Sequence, residues 1–127
     1  MFEMIRDQLN GAVPFAAHAG VTLTKVSPEG AAAELPETAT SVNHIGSQHA
    51  GALFTLGEAA SGAAMAGVFA PVLLEVRPVA AGASIRYGRI AKGTISAEAA
   101  VQGEGAALLE ALARDGKVAF DVGVVLR

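Results

Sequence analysis

A long apolar segment that contains a single acid is the feature that most limits the possible folds of this chain. Glu58 is the only acidic residue between Glu37 and Glu75, and the stretch from Ala59 to Leu74 carries no charge. Its Ala and Gly residues predict a helix that is buried in a core and closely approached by other elements. Burying an ionised acid costs several kcal/mol, so Glu58 is expected to be paired, neutralised or facing a cavity.

The composition fits one domain, residues 1–127, with more apolar surface than one small core can hide. Of the 127 residues, 52% are hydrophobic and only 17% are charged. Part of the apolar surface is therefore expected in a subunit interface. The uncharged stretch is interrupted by Pro71 and falls short of the roughly 20 residues of a membrane span. The first residues lack a signal-peptide pattern, from which we expect a cytoplasmic protein.

Charge and residue types argue against several classes of function. The net charge is −3 and no basic run could neutralise a phosphate backbone, so nucleic-acid binding is not expected. The absence of cysteine excludes disulfides and thiolate chemistry. The three histidines lack metal-ligand spacing with nearby acids, so no metal site is predicted. No Gly-rich stretch is followed by Lys-Ser/Thr, and no cofactor is expected.

The hydrophobic pattern predicts an α+β fold in which an antiparallel sheet wraps around a long central helix. The Val72 to Ile90 region is predicted as extended, either one bent strand or a hairpin turning at Ala81-Gly82. The other predicted elements are helices over Met1–Leu9, from an N-cap at Ser47 to Phe69, and over Ala106–Arg114, and strands over Val21–Val26, Ala31–Leu35, Thr94–Val101 and Val118–Leu126.

The start of the central helix resembles the hotdog-fold thioesterases, and most closely their phenylacetate-pathway (PaaI-like) group. Proteins of that group carry an Asn, a Gly and a His-Gly-Gly stretch ahead of an Asp or Glu in the hotdog helix. The segment Ile85 to Gly93 is also similar to the strand that ends in a Gly in this family. The residues that match the loop and helix motif are Asn43, Gly46, His49, Ala50, Gly51 and Glu58.

The resemblance implies a hotdog fold and hydrolysis of an acyl-CoA thioester. It also implies a homodimer that pairs again into a tetramer, with the sheets joined edge to edge. The loop from Asn43 to Gly51 of one subunit would then face Glu58 of the other, so that each active site is shared. The hotdog dehydratases are a weaker match, because their dyad would need a histidine on the opposite lip of the site.

The residue types suit this chemistry. Unpaired N–H groups lie at the positive end of a helix, and the amides of Ala50 and Gly51 fall in the first predicted turn, where they could bind the oxyanion of a thioester. Glu58 lies two turns further along and suits a general base or a nucleophile. The amide of Asn43 could orient the water or the carbonyl.

Each of these assignments has a structural alternative. Glu58 could be an acid paired with an arginine, and Asn43 could be an ordinary turn residue. His49 could brace the loop by a hydrogen bond, which we favour over proton transfer. Arg86, Arg89 and Lys92 could meet the phosphates of coenzyme A or could guard a solvated strand edge. Two classes of function remain: a thioesterase, or a binding protein for acyl groups or small ligands that has lost efficient hydrolysis.

Overall fold

A computed structural model describes all residues, 1–127, and has the predicted α+β architecture. Four strands form one antiparallel sheet in the order β1-β2-β3-β4. The elements in chain order are α1 (Phe2–Ala12), α2 (Pro14–Ala19), β1 (Thr22–Ser27), β2 (Gly30–Leu35), α3 (Ala50–Val68), a 3₁₀ turn (Ala70–Glu75), β3 (Ile95–Val101), α4 (Gly105–Asp115) and β4 (Val122–Leu126).

The long helix α3 packs across one face of this sheet, and small side chains bring the two layers close together. Ala33 of β2, Ala97 of β3 and Ala60 of α3 are completely buried where the layers meet. Gly67 lies near the end of α3, where a Cβ atom would overlap the carbonyl oxygen of Ser27 in β1. Backbone contact at that point requires glycine, which explains the Ala and Gly content predicted to serve close approach.

The remaining helices cover the periphery. The N-terminal helix α1 packs against β1, and the side chain of Asn10 exchanges two hydrogen bonds with the backbone of Leu23 in that strand. Helix α2 was not predicted, although Pro14 at its start and Gly20 in left-handed conformation at its end mark a short helix. Helix α4 was predicted, and Gly116 ends it with φ of +75°. None of the helices combines the length and apolar character that crossing a membrane requires.

The prediction for the region between α3 and β3 is wrong. Residues 70–75 form a 3₁₀ turn, and residues 76–94, which we call the connecting segment, contain neither helix nor strand. Two of their large apolar side chains are mostly exposed, Val79 at 81% and Ile90 at 67%. A strand is stable only when its backbone groups pair with a neighbour, and no strand of the chain lies alongside this segment.

The last predicted strand is shorter in the structure. It begins at Val122 rather than Val118, because the residues before it form no ladder with β3. Phe120 packs instead against Phe69 at the end of α3, with the ring centroids 5.2 Å apart. The alternating pattern therefore recorded which side chains face inward but not where the strand pairing starts.

Candidate active site

The N-terminus of α3 is capped by a histidine rather than by the predicted serine. His49 has an extended backbone, with φ −67° and ψ 140°, and its Nδ1 atom accepts a hydrogen bond of 2.8 Å from the N–H of Gly51. Ser47 lies outside the helix, and its hydroxyl accepts a hydrogen bond from the side chain of Asn43. His49 thus braces the loop, as the favoured interpretation of this residue predicted.

The cap leaves one of the two predicted oxyanion donors free and occupies the other. The N–H of Ala50 donates no hydrogen bond, and this residue is exposed. Gly51 is also exposed, but its N–H is held by His49 at 2.8 Å. The expectation that both amides are unpaired is therefore wrong for Gly51. A free N–H at the positive end of a helix of this length attracts an oxygen that carries negative charge.

Asn43 organises the loop that leads to this helix. Its Oδ1 atom accepts hydrogen bonds of 3.1 Å from the N–H groups of Ile45 and Ser47, while its Nδ2 donates to the Ser47 hydroxyl at 2.8 Å. The backbone N–H of Asn43 also donates to the carbonyl of Ser47. Asn side chains commonly stabilise turns in this way. Asn43 is half-buried, and in the single chain its side-chain amide forms hydrogen bonds only within its own turn.

Gln48 is a residue that the sequence analysis missed. Its side chain is 3% exposed, and its Nε2 atom donates to the carbonyls of Leu35 at 3.1 Å and Gly93 at 2.9 Å. Its backbone N–H donates to Ala91. Gln48 therefore ties the helix entry to the end of β2 and to the connecting segment. Nothing in the polar loop sequence distinguishes this residue, because its three partners are backbone carbonyls that only the fold brings together.

Glu58 does not have the surroundings predicted from its sequence neighbours. It lies on the exposed side of α3 in line with Gly51 and Phe54, at spacings of three and four residues. The expectation that it is paired, neutralised or facing a cavity is wrong for the single chain. None of the ion pairs involves it, so the alternative of a structural acid bound to an arginine is not realised either.

The distance along α3 separates Glu58 from the free amide. The two residues are eight positions apart, which corresponds to about 12 Å along a helix axis. A single thioester carbonyl could not touch both groups of one chain, because hydrogen bonds span only about 3 Å. Two surface depressions, of about 280 Å³ between α1 and β1 and about 440 Å³ on the outer sheet face, contain neither residue.

The predicted basic residues all lie in the connecting segment and are exposed. Arg86, Arg89 and Lys92 make no ion pair. The strand edge that they could have guarded does not exist, since the segment is not a strand. Between the two arginines, however, the hydroxyl of Tyr87 donates a hydrogen bond of 3.0 Å to the carbonyl of Ala50. The segment therefore passes beside the first turn of α3.

A family profile described as a domain of unknown function (DUF4442) matches residues 3–126. The chain belongs to this family. No curated protein matches this DUF4442 sequence. Solved structures similar to it include a Pseudomonas aeruginosa protein described as a protein of unknown function and probable thioesterase. It is 26% identical with a TM-score of 0.70, and the match covers 97% of this chain and 83% of that one.

Two further solved structures share the fold of this DUF4442 protein. A mutant of the phenylacetic acid degradation protein PaaI from Thermus thermophilus is 18% identical, with a TM-score of 0.63 and coverage of 91% of this chain and 88% of that one. Thioesterase superfamily member 2 from Mus musculus is 21% identical, with a TM-score of 0.67 and coverage of 100% and 84%. These similarities confirm the predicted hotdog fold.

Proposed function

We propose that this protein is an acyl-CoA thioesterase. The observation that supports this function most strongly is the free, exposed N–H of Ala50 at the start of the long central helix. When water attacks a thioester, negative charge develops on the carbonyl oxygen, and a fixed N–H donor in that position lowers the barrier. Similarity to structures that are described as thioesterases supports the same reaction class.

In this proposal each residue around the start of α3 has a separate role in hydrolysis. Ala50 donates its N–H to the oxyanion, and the absence of a side chain at Gly51 lets the thioester approach. Because Nδ1 of His49 accepts from Gly51, the neutral imidazole carries its proton on Nε2 and can donate a second hydrogen bond. Asn43 holds the loop in shape. Glu58 takes a proton from the water as its oxygen bonds to the thioester carbon, and the resulting tetrahedral intermediate then collapses with cleavage of the C–S bond. Glu58 returns the proton to the departing sulfur, so that coenzyme A leaves as a thiol and the acyl group as a carboxylic acid.

The charges of the connecting segment support coenzyme A thioesters as the substrate class. Arg86, Arg89 and Lys92 are exposed on the connecting segment, and the hydrogen bond of Tyr87 to Ala50 brings that segment to the helix start. Coenzyme A carries phosphates that such side chains bind. In the proposed complex these residues therefore bind the nucleotide end of the substrate, while the thioester lies at Ala50.

The proposed reaction needs a second copy of the chain, because Ala50 and Glu58 of one chain are about 12 Å apart. We propose a homodimer, able to pair again into a tetramer, in which Glu58 of one subunit faces Ala50 of the other. The exposed side of α3, which includes Phe54, and the unpaired connecting segment supply uncovered surface for such an interface. Apolar surface of this kind is expected to be buried in an assembly.

Light scattering should give a mass of two or four times 12.7 kDa at micromolar concentration. Replacing Phe54 with lysine should shift the mass toward the monomer, since the change puts a charge on the exposed side of α3. Phe15→Lys is the matched control, because Phe15 is also exposed but lies on α2. A monomer mass for the unaltered protein would contradict the shared site.

The activity itself is tested by incubating the purified protein with a panel of short, long and aromatic acyl-CoAs and following free-thiol release. We expect turnover of at least one class that saturates with substrate. The alternative of a binding protein predicts saturable binding of acyl-CoA without release of thiol. If the protein neither hydrolyses nor binds any acyl-CoA of the panel, both functions are rejected.

A further inference from the structure

Tyr87 provides the one side-chain hydrogen bond that joins the connecting segment to α3. Its hydroxyl donates to the carbonyl of Ala50 at 3.0 Å, although the two residues lie 37 positions apart. The segment contains no helix or strand, and it is also tied to the helix entry by the hydrogen bonds that Gln48 donates to Ala91 and Gly93. The position of this bond is notable because Ala50 is also the residue that carries the free N–H.

The same bond begins a chain of hydrogen bonds at the helix start. The Ala50 carbonyl and the Gly51 N–H belong to one peptide group, and that N–H donates to Nδ1 of His49 at 2.8 Å. A donor on the carbonyl side of a peptide polarises the group and strengthens the bond that its N–H makes. Tyr87 thus supports the His49 cap and restricts the rotation of the Ala50 backbone from its carbonyl side.

We propose that Tyr87 is a positioning residue of the thioesterase site, which orients Ala50 so that its free N–H points at the thioester carbonyl. This inference rests on the proposed function, since the carbonyl is that of an acyl-CoA. Tyr87 acts through Ala50 and does not take part in proton transfer. Tyr87 is 49% exposed, so its ring is accessible to a substrate that reaches Ala50.

The first test is the variant Tyr87→Phe, which keeps the ring and removes only the hydroxyl. A misplaced oxyanion donor lowers kcat, while binding of the substrate is unaffected. We therefore expect kcat to fall about five- to tenfold, as for the loss of one hydrogen bond, with KM within about twofold. Ser84→Ala is the control, because it removes an exposed hydroxyl from the same segment that makes no hydrogen bond, and it should leave both constants unchanged.

A second measurement does not depend on hydrolysis. The chain contains one tyrosine and no tryptophan, so its tyrosine fluorescence reports on Tyr87 alone. Adding pantetheine, which lacks the adenine chromophore, should change this emission and saturate. The same addition to Tyr87→Phe protein should give no signal.

The outcomes separate this inference from the proposed function. If the unaltered protein hydrolyses acyl-CoA while Tyr87→Phe has the same kcat, the positioning role is overturned and the function stands. If no acyl-CoA is hydrolysed, the proposed function fails, and the emission decides the case of Tyr87. A saturable change in emission then shows that Tyr87 lies in a ligand site, whereas an unchanged emission shows that it does not.

Discussion

Replacing Ala50 with proline should lower kcat by about two to three orders of magnitude, as expected for the loss of one oxyanion donor, while the protein stays folded. Proline has no N–H, and the first position of a helix tolerates it because that N–H has no partner within the helix. The preceding residue, His49, already has the extended backbone that proline favours before it. The substitution therefore removes the proposed donor and little else.

Circular dichroism tests whether the proline variant stays folded, and thiol release from acyl-CoA measures its kcat. Ala50→Ser is the matched control, because it changes the same exposed position and keeps the N–H; its kcat should stay within a fewfold of the original. Glu58→Gln should give a loss similar to that of the proline variant. Refolding the two inactive variants together should restore part of the activity, since a mixed dimer contains one intact site. Full activity in a folded Ala50→Pro protein would remove the oxyanion role from this residue.

Gly67→Ala should destabilise the protein by about 3 kcal/mol or more, because the new methyl group would overlap a backbone oxygen rather than a movable side chain. That oxygen belongs to Ser27 in β1, so α3 and the sheet would have to separate. Urea unfolding of the two proteins gives the change in the free energy of unfolding. The same helix offers a control with the opposite sign. A Cβ atom at Gly62 meets nothing within 4 Å.

Gly62→Ala should therefore stabilise the protein by about 0.5–1 kcal/mol, the usual gain when alanine replaces glycine inside a helix. The pair distinguishes close packing from helix propensity, since both substitutions improve propensity equally. If Gly67→Ala were as stable as Gly62→Ala, the contact between α3 and β1 would be looser than the structure has it.

The predictable parts of the fold are those fixed by local pattern. Helices α1, α3 and α4 and strands β1, β2 and β3 follow from hydrophobic spacing. The connecting segment was mispredicted because its Val and Ile residues have strand propensity, whereas strand formation depends on a neighbour that the pattern does not specify. Propensity could not reveal that this partner is missing from the single chain.

The candidate site was predictable as a place in the chain but not as a set of contacts. The motif from Asn43 to Glu58 marked the start of α3, and a bracing hydrogen bond from His49 was anticipated, although the helix cap was expected at Ser47. The exposure of Glu58 was not, since an apolar sequence around an acid does not tell which side of the helix the acid occupies. The contacts of Gln48 and Tyr87 join residues far apart in the chain, and no spacing rule connects them.

The fully buried alanines between α3 and the sheet restrict the position of the helix relative to the sheet. An alanine side chain has no rotamers to lose on folding, so this part of the core forms at little cost in side-chain entropy. Because alanine also has no rotamers through which to repack, a displaced helix would leave a gap beside Ala33, Ala60 and Ala97. The helix and the sheet therefore have one favourable spacing, which also fixes the position of the Ala50 amide at the N-terminus of α3.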